Sequence, residues 1–230
     1  MRERVEVKKD VAAARNAAGL LRARILSGAL KPGTPLREAA LIQDIGVSRN
    51  TLREAFLQLT FEGLTEQQLY KGTVVRQIDA HEARDIFIAR RTLEFRAIER
   101  SSYATTAALE TIRAAIDRAQ DAVGRQAWAE AATEGMRFHQ AIVALLGSRK
   151  LDALFEVLSA QLRLAFSTFT NEGEYQAPWL SRDIEICDLL LSGRRQDARS
   201  AMERYLDESE QELLDRLRLS RSQEHFPERG

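Results

Sequence analysis

Apolar positions along this chain recur mostly every three or four residues, the period of helices that bury one face. Between residues 10 and 28 the stripe Ala14, Ala18, Leu21 and Ile25 predicts a first helix. Two prolines and a glycine within residues 30–36 stop it with a rigid turn. A short helix over 38–44 follows, then a turn at Gly46, where glycine admits left-handed backbone. Ser48 is placed to cap the next helix, in which Leu52, Ala55, Phe56 and Leu59 fall at i, i+3, i+4 and i+7. Arg49, Asn50 and Arg53 gather on the opposite side of that helix, and Gly63 ends it. Two short extended runs, 64–68 and 73–77, are joined by Leu69, Tyr70, Lys71 and Gly72 and predict a hairpin with a basic tip.

Asp79 followed by Glu82 has the spacing of a capping box and marks an expected domain boundary. Beyond it almost everything reads as helix: 80–103, 106–123, 126–146, 149–170, 178–192 and 195–218. Gly147-Ser148 and Ser192-Gly193 are breaks, and a looser connection leads from Asn171 to Pro178. The pattern therefore predicts a mostly α protein. A winged helix-turn-helix over 10–78, three helices plus a β-hairpin wing, precedes an all-α helical bundle of six to seven helices over 79–220. Residues 1–9 and 221–230 are expected to be flexible tails.

Composition alters this picture little and charge alters it more. The 230 residues are 44% hydrophobic and 30% charged, as in ordinary soluble proteins. No apolar run approaches the ~18 residues of a membrane span. The charged N-terminus lacks a secretory apolar core, so a cytoplasmic location is expected. The single Cys187 excludes an internal disulfide and any CxxC metal or redox site. Net charge is zero, but residues 1–78 hold 13 Lys+Arg against 8 Asp+Glu, an excess of +5, and the remainder holds 21 against 26, an excess of −5. A basic front on an acidic back is the asymmetry expected when one domain meets a polyanion.

A DNA-reading helix needs an apolar face to hold it on its domain and cationic or amide side chains at its N-terminal end. The segment from Ser48 to Leu59 supplies both. Arginine pairs bidentately with guanine and asparagine with adenine. The hydroxyls of Ser48 and Thr51 suit phosphates at a helix N-terminus, and Lys71 suits a minor groove or the backbone. A merely solvated face is the bland reading of Arg49, Asn50 and Arg53. The order of helix, Pro-Gly turn, short helix, Gly turn, polar-tipped helix and basic hairpin weighs against it.

Residues 14–78 resemble the DNA-binding domain of GntR-family regulators. The matching words are LRARILSG from Leu21, KPG from Lys31, GVSRNTLREAFLQL from Gly46, EGL from Glu62 and GTVV from Gly72. By that resemblance Arg49, Thr51, Arg53 and the Lys71-Gly72 wing tip contact DNA. The family usually carries arginine just after the glutamate of the second helix; here that place is Ala39, and Arg37, just before Glu38, is the expected substitute.

Residues 79–220 resemble the all-helical, FCD-type effector domain of the FadR-like branch, through IARRTLE from Ile88, FHQAI from Phe138 and LLLSG from Leu189. Many members of that branch hold a metal through one Asp and three His. Here only His139 matches; Gly135 stands in the Asp place, and Asp183 and Tyr205 in those of the other two His. No tightly bound metal or other cofactor is therefore expected, His139 with Asp183 sufficing at most for weak binding. The resemblance projects Arg90, His139, Asp183 and Tyr205 into the bundle as effector-binding residues. Arg90 would then pair with the carboxylate of an organic acid. The alternative is that Arg90 bonds Asp183 or Glu94 structurally and His139 is a satisfied core residue. Trp179 and Tyr175 either flank an entrance or, for Trp179, fill core; His81 and His225 lie away from the pocket.

The function implied is a sequence-specific, ligand-responsive repressor, a homodimer on an inverted-repeat DNA operator, and not an enzyme. A metal-dependent enzyme or a non-DNA interaction module built on the bundle are the alternatives. The first is disfavoured by the lost ligands.

Overall fold

A computed structural model describes residues 2–166 and 172–224. The chain divides into two compact units, the first running to Gln77 and the second starting at Ile78.

The first unit opens with α1 (Arg2–Leu26), on which Ala14, Ala17, Ala18, Leu21 and Ile25 are buried. The helix begins eight residues ahead of the expected Asp10, so residues 2–9 are not the tail anticipated. That stretch lacks Gly and Pro and is built of tolerable helix formers, but it has no apolar period to betray it. Gly33 brings the chain back toward α2 (Glu38–Ile45) with a left-handed φ of 80°. Gly46, at φ 75°, makes the second sharp turn and leads into α3 (Arg49–Phe61). The stripe Leu52, Ala55, Phe56 and Leu59 is buried, with α3 packed against both α1 and α2. A bidentate pair from Arg22 to Glu62, with Nε to Oε2 at 2.7 Å, ties α1 to the end of α3.

Strands β1 (Thr65–Gln68) and β2 (Gly72–Val75) pair antiparallel in the register Thr65↔Val75 to Gln68↔Gly72. Thr73, Val74 and Val75 are buried in succession, against the alternation a two-sided strand would show. The reason is a third extended segment: Gly33 N–H donates to Val75 O (2.8 Å), Leu36 N–H to Thr73 O (2.8 Å) and Val75 N–H to Thr34 O (2.9 Å). Strand β2 is thereby paired on both of its edges, by β1 and by residues 33–36.

The second unit starts at the capping box predicted from Asp79. Its carboxylate accepts from the N–H groups of His81 (2.8 Å) and Glu82 (2.9 Å), and Glu82 accepts from Asp79 N–H (3.1 Å). There follow α4 (Ala80–Arg100), a 3-10 turn (Ser101–Tyr103), α5 (Thr106–Gly124), α6 (Trp128–Ala144), α7 (Arg149–Phe166), α8 (Glu172–Leu191) and α9 (Arg195–Glu224). Helix α8 carries on through Pro178, where a loose connection was expected. Proline lacks one ladder donor, so at this seventh position the helix forgoes one of its i→i−4 bonds. Helix α9 continues to Glu224, past the expected end. Within the bundle α4 packs on α6 and α9, and α8 packs on α5, α6 and α9. No helix of the described residues is long and apolar enough to cross a membrane.

Candidate nucleic-acid interface and effector site

The N-terminal end of α3 is set by its cap. Ser48 Oγ accepts from Thr51 N–H (3.1 Å) and bonds the Thr51 hydroxyl (2.8 Å). At 100° per residue, Arg49, Asn50 and Arg53 then share one exposed arc, with Arg49 and Arg53 at the flank of the buried stripe of Leu52, Ala55 and Phe56 and Asn50 farthest from it. The arginine side chains are 70% and 60% exposed, and both lean toward Glu38 at the start of α2. Arg53 Nε donates to Glu38 Oε1 at 3.1 Å, and Arg49 Nε lies 3.9 Å from Oε2. Asn50 makes a long bond to Glu54 (3.4 Å). Arg37 is exposed just ahead of α2, and Lys71 and Gly72 are exposed at the wing tip. Thr51 differs from the rest of the expected DNA-contacting set in its exposure. It is buried beside Leu52, and its hydroxyl bonds that of Ser48 in the cap. Glu38, which organises two of these side chains, was not anticipated, because the pairing spans the helix-turn-helix corner.

In the second unit the four predicted effector residues do converge, with Glu94 among them. Arg90 and Glu94 stand one turn apart on α4, His139 on α6, Asp183 on α8 and Tyr205 on α9, and all five are buried. Arg90 Nε donates to Glu94 Oε1 (2.8 Å). His139 Nδ1 lies 2.5 Å from Glu94 Oε2 and must donate, since a carboxylate only accepts. The other imidazole nitrogen, Nε2, faces Asp183 Oδ1 at 3.5 Å. The Tyr205 ring packs on His139 (4.9 Å between centroids) and on Trp179 (5.0 Å), with the Arg90 guanidinium 6.0 Å away. Trp179 is thus core, stacked under Arg182 (4.8 Å). His81 is exposed and pairs with Asp85 (3.3 Å). The side chain of Tyr175, and His225, lie outside the described residues.

Charge in this cluster is unevenly held. Burial alone would push the Glu94 carboxyl up, but Arg90 and His139 outweigh it and hold it below its usual range. Burial would lower His139, yet the Glu94 charge and its hydrogen bonds raise it above 6.5 against the opposition of Arg90. Burial raises Asp183, and its contact with and attraction to His139 offset this only in part. The surroundings therefore favour the charged form of Glu94 and the protonated forms of His139 and Asp183. Within this cluster Arg90 Nη2 makes no hydrogen bond among the described residues, and His139 Nε2 and Asp183 Oδ1 face each other at 3.5 Å without meeting hydrogen-bond geometry.

A metal does not fit here. His139 Nδ1 is occupied by Glu94, a guanidinium already stands in the cluster, and only His139 Nε2 and Asp183 are left to share an ion. Gly135 supplies no ligand, and a Cβ there would sit 3.5 Å from Asp183 Oδ2. Among the described residues no group of three or more His, Cys, Asp or Glu is arranged for a metal.

Comparisons with known proteins agree with this division. Residues 13–75 match the model of "Bacterial regulatory proteins, gntR family", and residues 85–208 that of the FCD domain. An HTH-type transcriptional regulator in an unstable DNA locus of Streptomyces ambofaciens is 27% identical over 191 residues, 81% of this chain and 78% of that protein. A probable D-xylose utilization operon transcriptional repressor of Paenarthrobacter nicotinovorans is 41% identical over 54 residues, 24% of each chain. The crystal structure of a putative transcriptional regulator GntR from Rhodococcus sp. RHA1 superposes with a TM-score of 0.83 at 28% identity, covering 89% of this chain and 98% of that one.

Proposed function

Because the chain belongs to the gntR family of bacterial regulatory proteins and carries an FCD domain, we propose that it is a ligand-responsive repressor whose α3 reads an operator through Arg49, Asn50 and Arg53. DNA binding and effector sensing are properties of the family; the residues, the ligand class and the assembly are this proposal. The observation that carries it is the single exposed arc of two arginines and an asparagine on a helix whose apolar stripe is wholly buried. Ser48 holds the N-terminus open to a phosphate, while Arg37, Lys71 and Gly72 make flanking backbone contacts. The relative of repressor name supports the sign of regulation.

The effector is a small organic acid. Its carboxylate accepts from Arg90 Nη2 and His139 Nε2, with Asp183 and Tyr205 orienting the rest of the molecule. No metal is required, since Arg90 supplies a fixed cation. The protein acts in the cytoplasm as a homodimer on an inverted repeat.

The test is selection of duplexes from a randomised pool followed by gel-shift titration. The wild type is expected to retard selected duplexes specifically at moderate salt. Arg53→Ala is expected to weaken binding by roughly 1–3 kcal/mol and relax the preference at one base position. Lack of any selected sequence, or an unchanged preference in the variant, overturns the reading.

A further inference from the structure

We propose that the hairpin tip, Leu69 and Tyr70, is an apolar wedge that enters the minor groove of the bound duplex and partly unstacks a base step. Lys71 holds the adjoining phosphate. The inference rests on the DNA-binding reading of α3 and deepens it.

The tip is a four-residue turn closed by Lys71 N–H donating to Gln68 O at 3.2 Å, with Leu69 and Tyr70 at its centre. Tyr70 adopts a φ of 65°, the left-handed region in which a Cβ is costly and Gly or Asn is the usual occupant of a turn. Turn chemistry therefore does not account for a tyrosine there. Packing does not account for it either: Tyr70 is 98% exposed and Leu69 80% exposed, so two adjacent large apolar side chains project together into solvent. A strained, unpacked aromatic residue points to a use outside its own domain.

The root of the hairpin is firm. Val74 and Val75 are fully buried, and Gln67 Nε2 donates to Thr73 Oγ1 at 2.7 Å across the strands. The hairpin is also fixed to α3, because Leu64 N–H donates to Leu59 O (2.9 Å) and Arg76 N–H to Leu64 O (3.0 Å). A duplex held by α3 thus meets a wing whose tip is already presented. The minor groove, about 6 Å wide, excludes a helix but admits a two-residue tip. Apolar side chains inserted there wedge open a step and kink the duplex. Exposed Lys71, with no ion pair among the described residues, matches the phosphates beside such a groove and would suit an apolar contact with a second copy of this chain poorly.

Permanganate reactivity of thymines on a selected duplex reads unstacking directly. The wild type should create hyperreactive thymines at a fixed offset from the α3 site. Tyr70→Gly should abolish them and weaken binding about tenfold. The same variant should keep or raise the melting temperature, because glycine accepts the left-handed turn. Leu69→Ser should reduce the hyperreactivity without this relief. Specific binding by the wild type with no hyperreactive thymine, or hyperreactivity undiminished in Tyr70→Gly, overturns the wedge and leaves the α3 reading standing. A change in oligomeric state of Tyr70→Gly free of DNA, with its DNA binding unaltered, also overturns it in favour of a self-association surface. Absence of specific binding by the wild type overturns the α3 reading itself.

Discussion

Glu38 sits between the two arginines that α3 presents, accepting from Arg53 and lying just outside bonding range of Arg49. A carboxylate there opposes phosphate, so it weakens attraction to any duplex. It also limits the rotamers of two long side chains, which favours the few placements in which they meet guanine edges. Glu38→Gln is therefore expected to bind random-sequence DNA several-fold more tightly and to lower the ratio of specific to non-specific affinity. Competition anisotropy at two salt concentrations measures both, and an unaltered ratio would deny Glu38 an orienting role. This residue was not legible in the sequence, since its partner Arg53 lies across a corner set by Gly46. Ser48 as a cap was legible because capping is local. What the family resemblance could not give is the bond between the Thr51 and Ser48 hydroxyls, one turn apart, which accompanies a buried Thr51. Arg90 with Glu94 shows how far spacing reaches. One turn of helix announces their pairing, while the second bond of Glu94, to His139 on another helix, needs the tertiary fold.

At the scale of elements, long periodic helices were easily anticipated and their ends were not. Buried alanines and leucines declare α1 from Ala14 onward, whereas its first turns have no such stripe. Pro178 reads as a terminator in sequence, yet α8 already runs for six residues before it. The bundle centre gives a prediction that belongs to four elements at once. His139 on α6 faces Glu94 and Arg90 from α4, Asp183 from α8 and the Tyr205 ring from α9. Its folded pKa is raised, so its contribution is fully present below about 6.5 and is lost as pH rises through the folded value. Asp183, also raised, adds a penalty in the same direction as pH climbs above 3.8. Glu94, held low, contributes above 4.5 and loses that contribution only on acidification through its folded pKa. The melting temperature should thus fall by several degrees from about pH 6 to pH 8.5, and EDTA should leave it unchanged at either end. His139→Gln should flatten the decline while lowering stability at pH 6. A melting temperature that rises over this range, or that collapses with EDTA, would contradict an ion cluster that works without a metal.

At the scale of the whole molecule, charge is divided as the work is. The five-charge excess of residues 1–78 lies on the unit that carries α3 and the wing, and the acidic remainder on the unit that carries the buried cluster. The division was visible in the sequence; the number of chains that act together was not, because self-association depends on surfaces that no local pattern marks. One chain offers one α3 and one wing, enough for a half-site of a few base pairs, and affinity at physiological salt for so small a site is modest. Two chains related by a two-fold axis would read both halves of an inverted repeat. Light scattering should then give twice the 26.0 kDa chain mass, and titration should saturate at two chains per selected duplex. Inserting five base pairs between the half-sites turns one to the far side of the helix and should abolish tight binding; inserting ten should restore part of it. An organic acid bound at Arg90 and His139 should lower affinity for the intact site, and by linkage the site should lower affinity for the acid by the same factor, typically between 5- and 150-fold. Full affinity for a single half-site at one chain per duplex would mean that the chain reads DNA alone.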